Sequence, residues 1–164
     1  MYHTKDLALL WDITDQNTLY TTISRYLKKG ILTPIHKGFY ATRSIETLNP
    51  LELGVSYLHT YAYVSCEYVL AQEGAIFQNP NAITLISSIS KSFDIGPFHF
   101  RSRQLKDVYL YRQAGIVQHG NVLVASLARA LADMLYFNPS YHIDTRELIQ
   151  WNQVEFIQKE VGYL

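Results

Sequence analysis

Apolar residues near the N-terminus recur at helical spacing and predict two short helices. The second helix has a single apolar face, because its apolar residues follow the i, i+4, i+7, i+8 rule. That face comprises Leu19, Ile23, Tyr26 and Leu27. Thr14 or Asp15 is expected to cap this helix, since a side-chain oxygen there accepts from free N–H groups of the first turn. Gly30 is expected to end it, because glycine readily adopts the left-handed conformation that follows a helix.

The first helix is shorter and leads into a tight turn. Thr4 is expected to cap it, and its apolar positions are Leu7, Ala8, Leu10 and Trp11. The small side chain of Ala8 permits close approach of a crossing helix. Asp12 stands in the turn, where aspartate tolerates a positive φ, and Ile13 is expected to point back inside.

A short β-hairpin is predicted after the second helix. The segment 35–40 places Lys37 and Gly38 between two short apolar runs, which is a hairpin signal. The tip of this hairpin is basic, as is typical of a loop that contacts the phosphates of nucleic acid.

The polar face of the second helix carries amides, hydroxyls and two cations but no acid. Such a face suits a helix in the major groove of DNA, where amides and hydroxyls meet base edges, Arg meets guanine and Lys meets phosphate. Two helices followed by a basic hairpin indicate a winged helix-turn-helix; the simpler alternative is a surface helix with a solvated face. The predicted DNA contacts are Asn17, Thr18, Thr21, Ser24, Arg25, Lys28, His36 and Lys37.

The rest of the chain alternates between helical and strand patterns and predicts a small α/β domain with a mixed sheet. Residues 1–48 are therefore interpreted as the DNA-binding domain and residues 49–164 as the α/β domain, in an α+β or mixed α/β chain. Helices are expected from Pro50, from Ser65 toward Gly74, from Ser126, and from Asp144 or Thr145 onward. Strands are expected at 61–64, 82–87, 98–101 and 109–112, with a hairpin at 115–125 that turns at Gly120.

In the order of its motifs, the chain resembles the AbiEi-type antitoxins, transcriptional regulators of abortive-infection systems against phage. The matching segments are 6–8, 24–30, 37–41, 63–67, 82–87, 98–101 and 125–133. The resemblance implies the antitoxin of a type IV toxin–antitoxin pair, which represses its own operon by binding inverted repeats, an arrangement suited to a homodimer. It also implies a nucleotidyltransferase-like toxin as the functional partner, countered by the C-terminal domain without a stable complex.

The resemblance also implies a helix ahead of the first one predicted here, where this sequence has only a few residues. Two helices and a hairpin have too little surface to enclose the predicted apolar faces. We therefore expect a cover from the helix at Pro50, from the C-terminal helix near Leu148 and Trp151, or from a second copy of the chain. We also expect residues 1–48 alone not to fold.

Composition and charge narrow the class of protein. The chain has 164 residues, of which 48% are hydrophobic, enough for a substantial core. The net charge is zero, but residues 1–50 hold six basic and four acidic side chains, so the small basic excess lies in the predicted DNA-binding part. No apolar run is long enough to span a bilayer, no secretory signal is evident, and the single Cys66 cannot form an internal disulfide. These features predict a cytoplasmic protein without membrane association.

Catalytic patterns are weak, so no enzymatic activity, cofactor or metal site is expected. The histidines lack metal-ligand spacing, and no glycine-rich phosphate loop is present. Cys66 is interpreted as a buried, inert thiol; Glu67 with Glu73, or Asp94 with Lys106, are interpreted as solvated or helix-terminal charges rather than nuclease residues. The thirteen tyrosines fit core packing, with a partner surface as the alternative. The alternative function is a protein-interaction module whose degenerate winged helix does not read DNA.

Overall fold

The computed structural model describes residues 1–164 and has a mixed α+β architecture with two separate sheets. The N-terminal part contains β1 (Tyr2–His3), α1 (Thr4–Leu10), α2 (Gln16–Lys28), β2 (Thr33–His36) and β3 (Phe39–Ala41). Its three strands pair antiparallel in the order β1-β3-β2 and form what we call the small sheet.

Local signals set the ends of α1 and α2. Asp15 caps α2 as predicted, and its carboxylate accepts from the Thr18 N–H at 2.7 Å. The turn between the helices places Asp12 at a φ of 52°. The expectation that Thr4 caps α1 is wrong. Thr4 is the first helical residue and His3 is the cap, with its N–H donating to the Asp6 carboxylate at 2.7 Å.

Strand β1 covers the apolar faces of α1 and α2. These faces and the small sheet enclose a core of four buried residues, Leu7, Leu19, Ile23 and Leu32. The half-buried residues packed against that core, among them Tyr2 of β1 and Tyr40 of β3, all lie between positions 2 and 40. The expected cover from a later helix is therefore wrong for this core, because the small sheet supplies it, and the alternative of a second copy stays a prediction. Leu10 remains 64% exposed.

Residues 50–164 form a larger unit around a mixed six-stranded sheet, the large sheet, whose strand order is β6-β7-β5-β4-β9-β8. The pairs β5–β7 and β4–β9 are parallel and the others antiparallel. The strands are β4 (Ala62–Val64), β5 (Ile83–Ser87), β6 (Lys91–Ile95), β7 (Phe98–Gln104), β8 (Ile116–His119) and β9 (Val122–Ala125). The helices are α3 (Pro50–Leu58), α4 (Cys66–Gln72), α5 (Asp107–Leu110), α6 (Leu127–Phe137) and α7 (Trp151–Val161).

Helices cover both faces of the large sheet. Helix α3 lies so close to one face that a Cβ on Gly54 would overlap the Phe100 ring and come within 3.2 Å of the Leu85 side chain. The opposite face packs against α4 and α6, since Thr84 donates to Glu67 and Tyr63 donates to Asp133. The resulting core has 29 buried residues, all between Leu53 and Val161.

Several predicted elements of this larger unit are confirmed, and three need correction. Asn49 and Ser126 cap α3 and α6, and Gly120 turns the β8–β9 hairpin with a φ of 59°. The strand predicted at 109–112 is wrong, because this region contains the single-turn helix α5. Strand β6 is absent from the prediction, and the last predicted helix is divided into a 3-10 helix, Arg146–Leu148, that follows Thr145 and an α-helix that begins at Trp151. No helix combines the length and the apolar character that a membrane span requires.

Candidate nucleic-acid interface

The outward face of α2 is open to solvent along its whole length. Leu19 and Ile23 on the opposite face are buried, so the helix has one fixed orientation. All six contact residues predicted on α2 lie on its exposed side: Asn17, Thr18, Thr21, Ser24, Arg25 and Lys28.

Contacts near the C-terminal end of α2 hold that face in place. At the C-terminal end, Gly30 has a φ of 68°, and the N–H groups of Ile31 and Leu32 donate to the Tyr26 carbonyl at 2.9 and 3.2 Å. The Tyr26 ring packs edge-on against Trp11, with 5.0 Å between ring centroids. The polar side chains are therefore presented by a helix packed on α1, not by a mobile loop.

The β2–β3 turn lies beside the start of α1. Gly38 adopts a φ of 76°, and its carbonyl accepts from the Thr4 N–H at 3.0 Å, which joins the turn to α1. Lys37 is exposed at this turn. His36 is also exposed, but its ring packs edge-on against Tyr57 of α3 at 5.0 Å between centroids. Of the two DNA contacts predicted on the hairpin, Lys37 is therefore open to solvent, whereas His36 packs against α3.

The cations of this region have no acidic partner within the protein. None of Arg25, Lys28, Lys29, Lys37 and Arg43 forms an ion pair, whereas two of the nearby acids are engaged by backbone N–H groups. The donation from Thr18 lowers the pKa of the Asp15 carboxyl below its ordinary value. Asp15 therefore stays ionised, but the unpaired cations outnumber the acids of residues 1–50 and give a surface that can take up anionic groups.

No protein-family model matches this chain, and no curated protein matches it significantly.

The acidic residues and the cysteine that could have formed a catalytic site are either paired with other side chains or buried. Glu67 forms an ion pair with Arg103, and Asp94 pairs with His99 at 2.7 Å, so neither suggested nuclease pair is assembled. Cys66 is completely buried, as predicted, and burial raises the pKa of its thiol. No group of three or more His, Cys, Asp or Glu side chains is placed to hold a metal ion.

A buried polar network on α6 was not predicted. Arg129 and Asp133 are one helical turn apart, and both side chains are completely buried. They form an ion pair at 2.8 Å and bind hydroxyl groups from β4 and from the C-terminal end of the chain. Their i, i+4 spacing was the available signal, but the same spacing is common on exposed helix faces.

Proposed function

We propose that residues 1–48 form a winged helix-turn-helix that binds DNA through the outer face of α2 and the β2–β3 turn. The observation that carries this proposal is the exposed, acid-free face of α2, to which the β2–β3 turn adds an exposed lysine. We further propose that the chain is a transcriptional regulator that acts as the antitoxin of a type IV toxin–antitoxin pair.

The chemistry of the α2 face fits base readout. Asn17 can pair with adenine through its amide, and Arg25 can donate two hydrogen bonds to guanine. The hydroxyl of Thr21 already donates to the Asn17 carbonyl at 2.8 Å, so toward DNA it would act as an acceptor. Lys28, near the end of α2, is suited to a phosphate.

The β2–β3 turn is suited to phosphate rather than to bases. Lys37 is a flexible point charge without the planar fork that matches a base edge. Its turn is joined to α1 through the Gly38 carbonyl, so the backbone that carries Lys37 is anchored to the helices. His36 contributes less in this proposal, because its ring packs on Tyr57.

The antitoxin assignment rests on the resemblance of motif order to the AbiEi-type family. By this assignment, the first partner is operator DNA with inverted repeats. A homodimer would bind it, because the two-fold axis of the dimer matches the symmetry of the repeat. A nucleotidyltransferase-like toxin would be the functional partner of residues 49–164. The small basic excess in residues 1–50 predicts modest affinity per protomer and strong dependence on salt.

Arg25→Ala is expected to weaken binding to a specific operator by about 1–3 kcal/mol, with a smaller loss on random DNA. The reason is that a guanidinium paired with guanine contributes to sequence discrimination as well as to charge. The operator is first selected from a random-sequence library with the full-length protein, and affinities are then measured by fluorescence anisotropy at fixed salt.

Arg112→Ala is the matched control for this measurement. Arg112 is an exposed arginine in the larger unit whose side chain forms no ion pair, so its removal changes net charge equally. Equal losses on operator and random DNA after Arg25→Ala would assign Arg25 to phosphate instead of base.

Lys37→Gln is expected to weaken binding to all DNA sequences to a similar extent. Loss of one phosphate contact should flatten the slope of log K against log salt concentration by about one unit. Titrations at four salt concentrations measure this slope, with Lys159→Gln on α7 as the charge-matched control. An unchanged slope for Lys37→Gln would mean that the turn does not touch DNA.

Growth rescue tests the antitoxin role. The proposal expects a neighbouring gene to encode a nucleotidyltransferase-like toxin, and that neighbour is expressed from an inducible promoter with and without this protein. We expect the full-length chain and Arg25→Ala both to restore growth, because toxin neutralisation is proposed for residues 49–164. Failure of the full-length chain to restore growth would remove the antitoxin assignment but would leave the DNA-binding proposal intact.

A protein-interaction module is the second candidate, favoured by apolar side chains at the end of α1. Leu9 is 82% exposed and Leu10 is 64% exposed, which is unusual for two adjacent leucines on a helix. In this alternative the N-terminal part contacts a protein and not DNA. Library selection that enriches no DNA sequence, together with uniformly weak DNA binding, would favour it.

A further inference from the structure

A cavity of about 320 Å³ lies in the larger unit, away from the residues proposed to bind DNA. It is bordered by β5, β7, the first turn of α4 and the loops that precede β5 and follow α6. The polar residues that matter for its chemistry are Arg101, Thr84, Glu67, Tyr141 and three loop amides. Its volume is at the lower end of the range for small-molecule sites.

The guanidinium of Arg101 is the only unpaired charge in the cavity. Arg101 is in register with Thr84 across the parallel β5–β7 pair, so the two residues are neighbours on one face of the large sheet. Along the same face of β7, His99 and Arg103 pair with Asp94 and Glu67. The Arg101 side chain is exposed to solvent and makes no hydrogen bond or ion pair, and the only acid in the cavity wall, Glu67, is paired with Arg103. Arg101 therefore presents an unpaired positive charge to the cavity.

Further donors without partners in the protein line the same cavity, and its three amide side chains are open to solvent. The side-chain amides of Gln78, Asn79 and Asn81 and the hydroxyl of Tyr141 line the cavity, and none of them forms a side-chain hydrogen bond to the rest of the chain. Burial raises the pKa of Tyr141, so its hydroxyl keeps its proton and can donate. The guanidinium of Arg101 and these four neutral donors together suit an anion that has several acceptor oxygens.

We propose that this cavity binds the phosphate group of a small phosphorylated molecule, with Arg101 as the principal contact. A phosphate monoester offers three terminal oxygens and nearly two negative charges, and it can occupy more of these donors than a carboxylate can. The amides and Tyr141 would contact the remainder of the ligand. The site is separate from the α2 face, so its existence does not depend on DNA binding.

Isothermal titration calorimetry of the full-length protein tests this proposal with adenosine monophosphate, inorganic phosphate, adenosine and succinate. We expect saturable binding of adenosine monophosphate, competition by inorganic phosphate, and at least about tenfold weaker binding of adenosine and succinate. Arg101→Gln should weaken adenosine monophosphate binding by about tenfold or more. Arg112→Gln, which removes an exposed arginine elsewhere, should change it by less than about twofold.

Tyr141→Phe is a second variant, which keeps the ring and removes the hydroxyl. We expect it to weaken the binding of adenosine monophosphate by about threefold to tenfold. Melting curves of all variants verify that they remain folded. The proposal is overturned by absence of saturation with both phosphate compounds up to about 10 mM. It is equally overturned if Arg101→Gln and Arg112→Gln have the same effect, or if succinate or adenosine binds as tightly as adenosine monophosphate.

Discussion

Arg129→Met is expected to lower the free energy of unfolding by about 3–5 kcal/mol, the largest effect we predict for a single substitution. The substitution keeps most of the side-chain length but removes a charge from a site without solvent. It leaves the Asp133 carboxylate buried without its cation, and removal of one partner from a buried pair is strongly destabilising for that reason.

The surroundings of Arg129 explain the size of this effect. Its Nη1 donates to the carbonyls of Arg112 and Ala114, both at 3.0 Å, and its Nη2 donates to the Tyr63 hydroxyl at 2.8 Å. The Arg129 guanidinium thus joins α6 to β4 and to the segment before β8. After the substitution, the two carbonyls lose their donor in a region from which water is largely excluded.

Asp133 has the complementary role of an acceptor. Its carboxylate accepts from the hydroxyls of Tyr63 at 3.0 Å, Ser65 at 2.7 Å and Tyr163 at 2.6 Å, in addition to the Arg129 Nε. Burial raises the pKa of both tyrosines, so these hydroxyls stay protonated and act as donors. The network therefore connects α6, β4, the cap of α4 and the C-terminal end of the chain.

Urea unfolding followed by circular dichroism measures the expected loss, with Arg112→Gln as the exposed control. A double-mutant cycle with Asp133→Leu isolates the pair. We expect the sum of the stability losses of the two single variants to exceed the loss of the double variant by at least about 1 kcal/mol. The reason is that the second substitution removes the charge that the first leaves uncompensated. A loss below about 1 kcal/mol for Arg129→Met would show that solvent or rearrangement compensates the buried carboxylate.

A fragment of residues 1–48 is expected not to fold, whereas residues 49–164 are expected to melt cooperatively. The N-terminal fragment retains only the four-residue core between its helices and the small sheet, too little for a chain of this length to be stable alone. The larger unit contains all 29 residues of the main core.

The small sheet also depends on α3 for its other face. Phe39 is only 1% exposed. Its ring centroid lies 6.1 Å from that of Tyr57, and its ring stacks on the His3 ring with 4.5 Å between centroids. The His3 Nε2 lies 2.8 Å from the Ser56 carbonyl, in hydrogen-bonding distance of α3. Removal of residues 49–164 exposes Phe39 and this polar contact together, and burial of one large apolar side chain alone contributes about 1.5–3 kcal/mol.

Circular dichroism with thermal melting of both fragments and of the full-length chain measures this difference. The expected result for residues 1–48 is a weak helical signal without a cooperative transition. A cooperative transition in that fragment, with helix content equal to its share in the full chain, would contradict the prediction and establish that the small core suffices.

The sequence by itself determined the features that depend on near neighbours along the chain. The cap of α2 at Thr14 or Asp15, the left-handed Gly30 and the turn at Gly38 each require only a few adjacent residues, so residue types indicated them, and the structure selects Asp15 as the cap. The exposed face of α2 followed from helical periodicity for the same reason, and with it the candidate residues for DNA contact, from Asn17 to Lys28.

Contacts between distant segments decided the rest. Strand β1 exists because Tyr2 and His3 pair with β3, and Leu110 is buried on a helical turn where the tyrosine-rich sequence favoured a strand. Arg101 and Arg129 have the same side chain, yet one is unpaired at a cavity and the other is enclosed with Asp133. Only the tertiary structure distinguishes them, because burial and charge pairing are set by segments far apart in sequence, whereas caps and turns are set by the local backbone.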